Sequence, residues 1–256
     1  MIRFWIWVCF FILFIPQGLI ASETDKSTLK KVVNALESPF RGEADSLPAI
    51  SDFSFTFIQD SEVASLNQHQ QARGEAQFKF LPASEKKRVS PLFRWEYSEP
   101  DKQLIVSDGR EIWFYVPDNQ QAIRSEAKEA LSPEKGNNPL LFLTNLGELS
   151  RFFEIRWFGA QPEKAEEYFL ELIPLGKSPL IKTIVLSIPQ TTLLPNKKDQ
   201  PMFPISSLLL TNVNNDRTHI RITEAQVNQK PEDNVFRFSP PPGTEILTPE
   251  DVQQAF

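Results

Sequence analysis

Two histidines, one cysteine and scattered carboxylates are the only side chains in this sequence that suggest catalysis, and their spacing argues against it. His69 sits in the glutamine-rich run Asn67–Gln71 and His219 in an alternating strand pattern. Neither lies in a nucleophile elbow or beside a serine placed for acyl transfer. Glu166 and Glu167 are adjacent in a polar turn, a poor arrangement for a general acid and base that must face one substrate from two sides. No metal-ligand spacing of His, Cys and carboxylates occurs, and none of the nine glycines forms a phosphate-cradling loop. No enzyme activity, metal or cofactor is expected. The chemistry the chain does offer is apolar contact. Phe93, Trp95 and Tyr97 alternate with Arg94 and Glu96, and a second aromatic run, Glu111–Asp118, follows. In a strand such alternation turns three rings to one face. The chain holds 21 phenylalanines against five tryptophans and three tyrosines, a set rich in contact area and poor in hydrogen-bonding groups.

The elements that must carry these rings are mostly short strands. Alternation and turn signals predict strands over Phe53–Phe57, Gly74–Leu81, Phe93–Tyr97, Leu104–Val106 and Glu111–Val116. A second set is expected over Ile155–Phe158, Tyr168–Pro174, Ile181–Ile188, Ile205–Asn212, Thr218–Val227 and Val235–Phe238. Asp108-Gly109 is expected to form a two-residue turn with positive φ at both positions, making its flanking strands antiparallel neighbours. Leu29, Val32, Val33 and Leu36 recur at helical spacing within Lys26–Leu36, and Pro139–Leu143 and Leu146–Phe153 read as two short apolar helices. Pro189–Pro204 is expected to be a polar surface loop. Strands with a few apolar helices between them imply a curved sheet whose concave face the helices cover. From the pattern alone, a filled core is favoured over a cavity beneath that cover.

Residues 1–21 are expected to be a signal peptide: Arg3 supplies the charge, Phe4–Ile15 is an unbroken apolar run of twelve, and Ala21 provides a small residue for cleavage. Twelve apolar residues fall short of the roughly twenty that span a bilayer as a helix. Cys9 falls inside that run, so residues 22–256 contain no cysteine and their stability must come from burial. These residues are expected to form one domain, since no linker or fixed-period repeat divides them. A net charge of −6 argues against nucleic acid as a partner.

An ordered series of short motifs then points to a family. Phe57-Ile58-Gln59 is followed by Ser90–Tyr97, Glu99-Pro100, Leu104–Gly109, Ile112–Tyr115 and Phe236–Gly243. In this order and spacing the chain resembles the outer-membrane lipoprotein carrier family, LolA, over nearly all of residues 22–256. The resemblance implies a mainly β fold with a few α-helices: an unclosed antiparallel β-barrel covered by a helical lid, with an apolar cavity for lipoprotein acyl chains. It implies a periplasmic carrier, expected to be a monomer. Its partners would be acylated lipoproteins, an inner-membrane ABC-type lipoprotein releasing complex and an outer-membrane lipoprotein receptor. A second reading keeps the fold and makes it a periplasmic sensor or protein-interaction module.

Carried over by position, Phe93 matches the family's aromatic at the pocket mouth. Phe55, Phe57, Phe78, Phe80 and Trp95 are candidate wall residues, and Leu140 and Phe142 candidate lid residues. A Phe93→Glu change is expected to cripple cargo binding and spare the fold. In one place the chain departs from the pattern: the family has an arginine before the proline of this segment, where it bonds to the lid, and here Ser90 stands there. Arg88 replaces that contact only if the strand shifts or bulges; otherwise Lys86-Lys87-Arg88 is a solvated basic turn.

Overall fold

In β1 (Asp52–Val63), Phe53, Phe55 and Phe57 are buried while Ser54, Thr56 and Ile58 are half-exposed. This period of two is what a sheet with one covered face requires. The computed structural model describes residues 18–42, 49–81, 91–131, 140–159, 166–176, 178, 181–193 and 201–254. Eleven further strands follow: β2 (Gln68–Lys79), β3 (Leu92–Glu99), β4 (Gln103–Ser107), β5 (Glu111–Val116), β6 (Gln121–Glu126), β7 (Phe153–Trp157), β8 (Glu167–Pro174), β9 (Ile181–Pro189), β10 (Ser207–Asn212), β11 (Arg217–Val227) and β12 (Glu245–Leu247). All twelve join one sheet in the order β12-β6-β5-β4-β3-β2-β1-β11-β10-β9-β8-β7.

This order describes two meanders joined back to back. Strands β1 to β6 run outward in sequence. After the helical segment, β7 to β11 return until β11 pairs with β1. Every neighbouring pair is antiparallel except β12 with β6, which is parallel. The terminal strands β12 and β7 are not neighbours, so the curved sheet is unclosed, as expected.

The helices sit against this sheet. The expected helix over Lys26–Leu36 lies inside α1 (Gly18–Glu37), whose Val32 and Leu36 enter the core; residues 1–17 lie outside the described residues. Among the described residues no helix is long and apolar enough to cross a membrane. A short helix α2 (Ala127–Ala130) follows β6. The two apolar middle segments form α3 (Leu140–Thr144), a 3₁₀ turn over Leu146–Glu148 and α4 (Leu149–Phe152). Helices α5 (Gln190–Leu193) and α6 (Pro249–Gln254) complete the set.

Three expectations are corrected. At the β4–β5 connection only Gly109 takes positive φ, at 83°. The loop is closed instead by the Asp108 carboxylate, whose Oδ1 accepts the N–H groups of Arg110 and Glu111 at 2.9 Å each. Val235–Phe238 is not a strand: Asp233–Phe236 is a 3₁₀ turn that buries Phe236 and lays Phe238 against Trp113 and Tyr115, at ring distances of 5.7 and 5.1 Å. The prolines at 240–242 have no N–H with which to continue a ladder. Pro189–Pro204 is not simply a polar loop, because Pro189 ends β9, α5 follows, and Phe203 is buried; residues 194–200 lie outside the described residues.

The segment after β11 is tied down by one buried carboxylate. Asp52, 3% exposed, accepts the N–H groups of Gln229 (2.6 Å) and Lys230 (3.1 Å) and the Ser51 hydroxyl (3.0 Å). Asp52→Ala would take this acceptor from the Gln229 and Lys230 N–H groups, while the Ser51 hydroxyl keeps Asn228 Oδ1 at 3.1 Å. A urea titration should show a loss of about 1 kcal/mol, the scale of the partly buried hydrogen bonds removed.

Candidate acyl-binding interior and its lid

Registers across β1, β2 and β3 set the concave face in rows. Phe53 faces Phe78, which faces Phe93; Phe55 faces Ala76, which faces Trp95; Phe57 faces Gly74, which faces Tyr97. Large rings therefore fill the first row, and small residues of β2 occupy the centre of the next two. Over those small residues the rings of β1 and β3 meet directly. Phe57 lies 4.3 Å from Trp95 and 5.3 Å from Tyr97, and Phe55 lies 5.8 Å from Trp95. In the first row Phe53 stacks on Phe78 at 4.7 Å and Phe78 on Phe93 at 5.7 Å.

The expected wall residues Phe55, Phe57, Phe78, Phe93 and Trp95 thus share one buried cluster, and Phe80 packs at its edge, 6.0 Å from both Phe40 and Phe53. Phe93 is fully buried (0% exposed) in this closed arrangement. A glutamate there would place a carboxylate among rings with no partner, so Phe93→Glu is expected to unfold the protein and is no test of binding. Phe93→Leu is the usable probe. It should fold and lose about 1–2 kcal/mol in thermal or urea unfolding, a modest large-to-small change.

Two wall residues arise outside the strand pattern. Phe203, just before β10, lies 4.7 Å from Phe53 and 5.6 Å from Phe55. Phe40, in the 3₁₀ turn after α1, packs edge-on against Phe53 at 6.0 Å. On the far half of the sheet, Leu170, Leu172, Ile184, Leu186, Ile188 and Leu208 continue the apolar lining.

The cover over this face is the α3–α4 segment, which buries Phe142, Leu143, Leu146 and Leu149. Phe142 lies in α3 and is buried; the Leu140 side chain, Arg88 and Ser90 lie outside the described residues. Among the described residues an arginine that bonds the lid is Arg41. Its Nε donates to the Gly147 carbonyl at 2.9 Å, and its guanidinium also pairs with Glu37 and with Asn34 Oδ1 (3.1 Å). Glu37 is 1% exposed. Its carboxylate accepts the Ser150 N–H at 2.5 Å and the Ser150 hydroxyl at 3.2 Å, which ties the end of α1 to the first turn of α4. Close approach completes the clasp: a Cβ on Gly147 would come within 2.9 Å of the Phe40 carbonyl oxygen.

At the opposite end the concave face turns polar. The Tyr97 hydroxyl donates to Gln59 Oε1 at 3.0 Å, and Gln59 Nε2 donates to Ser61 Oγ at 3.1 Å. These residues and Gln103 border a notch of about 150 Å³. Burial pushes the Tyr97 phenol up, and the indole N–H of Trp95 beside it pulls partly back.

The histidines take no part. Both border a shallow polar cleft with Asp60, Glu62 and Arg217. Among the described residues no group of three or more His, Cys, Asp or Glu is placed to hold a metal ion.

Comparison with known proteins decides the family. The model of the outer membrane lipoprotein carrier protein LolA matches residues 49–239. The chain belongs to the LolA family. This LolA-family chain is 27% identical over 155 residues to an outer-membrane lipoprotein carrier protein of Nitrosomonas europaea, a match spanning 60% of the chain and 66% of that protein. It is 30% identical over 158 residues to the protein of the same description from Hahella chejuensis, spanning 61% and 66%. In both cases it spans just under two thirds of the relative's length. Among solved structures, a DUF1329 family protein from Desulfovibrio piger aligns with 83% of the LolA-family chain and 97% of its own at 13% identity and a TM-score of 0.48.

Proposed function

We propose that the protein is a periplasmic carrier that holds the acyl chains of lipoproteins against the aromatic concave face while they cross between membranes. The observation that carries this reading is the concave face itself: a continuous floor of phenylalanine and aliphatic side chains beneath a separate helical cover clasped by polar bonds. Each methylene removed from water is worth about 0.8 kcal/mol, so one sixteen-carbon chain is worth on the order of 12 kcal/mol. A clasp of a few hydrogen bonds, worth about 1 kcal/mol each, can be opened at that gain. An aromatic floor gives contact without fixed polar anchors, so cargo is held by area and remains releasable. In this reading the cargo is received from an inner-membrane ABC-type lipoprotein releasing complex and delivered to an outer-membrane lipoprotein receptor.

The test is release without detergent. Vesicles carrying an acylated lipoprotein and the releasing complex are incubated with the protein, and the supernatant is assayed for a soluble one-to-one complex. Acylated cargo should appear there, and the same cargo with its acylated cysteine replaced should not be retained. Absence of any soluble acylated cargo sinks the proposal.

A further inference from the structure

Buried donors without acceptors are rare in folded proteins, and each calls for a reason. Among the described residues two buried side-chain polar atoms have no hydrogen-bond partner, and both are indole nitrogens: Trp95 Nε1 and Trp157 Nε1. Trp157 ends edge strand β7, away from the aromatic rows, with its ring 5.6 Å from Tyr168. Trp95 is at the centre of the concave face, 1% exposed, with its ring over Phe57.

The surroundings of Trp95 change character along the sheet. Toward the lid end lie Phe55, Phe53 and Phe203. In the other direction the next inward residue of β3 is Tyr97, and beyond it Gln59, Ser61 and Gln103 form the polar notch. The Tyr97 hydroxyl is committed to Gln59, and the indole N–H, though close enough to act on the phenol, makes no hydrogen bond with it. The indole thus stands at the border between the oily face and the polar rim, with its donor unspent. An acyl chain attached through an ester or amide has the matching anatomy: a hydrocarbon tail, then a carbonyl acceptor, then a polar head.

We propose that Trp95 Nε1 is the donor that receives the ester or amide carbonyl at the head of a bound acyl chain, with the tail along Phe55 and Phe57 and the polar head at the Gln59–Tyr97–Gln103 rim. This inference rests on the carrier reading above. It specifies an uncharged carbonyl rather than a free carboxylate, because Glu99 and Asp101 border the same notch and repel an anion. It also assigns β3 two tasks: the Trp95 ring supplies area, and its nitrogen supplies register.

The probes are a dipalmitoyl cysteinyl tetrapeptide and its dihexadecyl ether analogue, which has the same tails without the ester carbonyls. The full chain should bind the ester about fivefold more tightly than the ether, the worth of one neutral hydrogen bond. Trp95→Phe should bind both and lose that preference. In the unsubstituted chain labelled with ¹⁵N-tryptophan, the Trp95 indole N–H signal should move downfield with the ester and not with the ether. Equal binding of ester and ether by the unsubstituted chain, or a preference that survives Trp95→Phe, overturns the inference and leaves the carrier reading intact. Failure to bind either probe overturns both. If Trp95→Phe does not fold, the indole signal decides, and a signal unmoved by the ester overturns the inference.

Discussion

Gly74→Ala should be the most damaging single-methyl change in the protein, lowering stability by about 3 kcal/mol or more in urea or thermal unfolding. A Cβ at this position would stand 2.0 Å from the Glu96 carbonyl oxygen and 2.6 Å from Phe57 Cζ. The ring can swing away, but the carbonyl belongs to the neighbouring strand. Relief therefore means parting β2 from β3 where their register already shifts, between Arg73 and Gly74. Overpacking a well-packed interior costs about 1–3 kcal/mol when side chains alone must move, and a backbone obstacle puts this site at or above the upper end. Ala76→Gly, two residues along the same strand, removes a methyl instead of adding one and should cost about 1 kcal/mol. A Gly74→Ala protein that melts within a degree or two of the parent would show that β2 and β3 can separate freely, contrary to the packing described.

Glu37→Ala should release the lid. Its carboxylate receives the Ser150 N–H, the Ser150 hydroxyl and the Arg41 guanidinium, and it is almost wholly removed from solvent. Taking it away strands the partly buried Ser150 N–H at the start of α4 and leaves Arg41 with only Gly147 and Asn34. The Arg41 side chain is 46% exposed, so the ion pair is partly screened and most of the cost comes from the stranded donors. A loss of about 3 kcal/mol is expected, with amide exchange over Phe142–Ser150 accelerated more than in β1 or β2. Glu37→Gln keeps one acceptor oxygen and should fall between. Under the carrier proposal, lipopeptide affinity should rise in Glu37→Ala, because less free energy holds the closed state against the bound one. Unchanged exchange over Phe142–Ser150 would show instead that burial of Leu146 and Leu149 alone holds the cover down.

Where the chain is half-buried, its sequence announces the structure. Phe53, Phe55 and Phe57 alternate because one face of β1 is covered, and the same rule exposes β3, β5, β9 and β10. Where both faces are wet or the inward residue is small, the signal fades. The first half of β2, Gln68–Arg73, is polar apart from Ala72 and is a strand only because β1 continues opposite it. In β6 the fully buried inward residue is Ala122, too small to mark a period, and β12 is three residues long. The aromatic concave face divides the same way. Rings on strands are legible by parity, whereas Phe40 and Phe203 reach the cluster from non-repeating segments whose paths depend on the completed fold. The clasp is less legible still. Glu37 and Arg41 have the spacing of an ordinary exposed ion pair on a helix, and only docking of α4 turns that pair into a buried junction. The family arginine before the proline drew attention to Arg88, while the described contact comes from a residue the motif does not include.

The unpaired margins of the sheet carry one further consequence. In a closed barrel, strand number and shear fix the diameter, and the bore cannot widen unless ladder bonds break. Here no ladder bond joins β7 to β12, so the sheet can uncoil slightly, like a loosened cuff, with every existing pairing kept. Under the carrier proposal, capacity would then depend on curvature rather than on strand count, and cargoes of different girth would be accommodated by one chain with one set of hydrogen bonds.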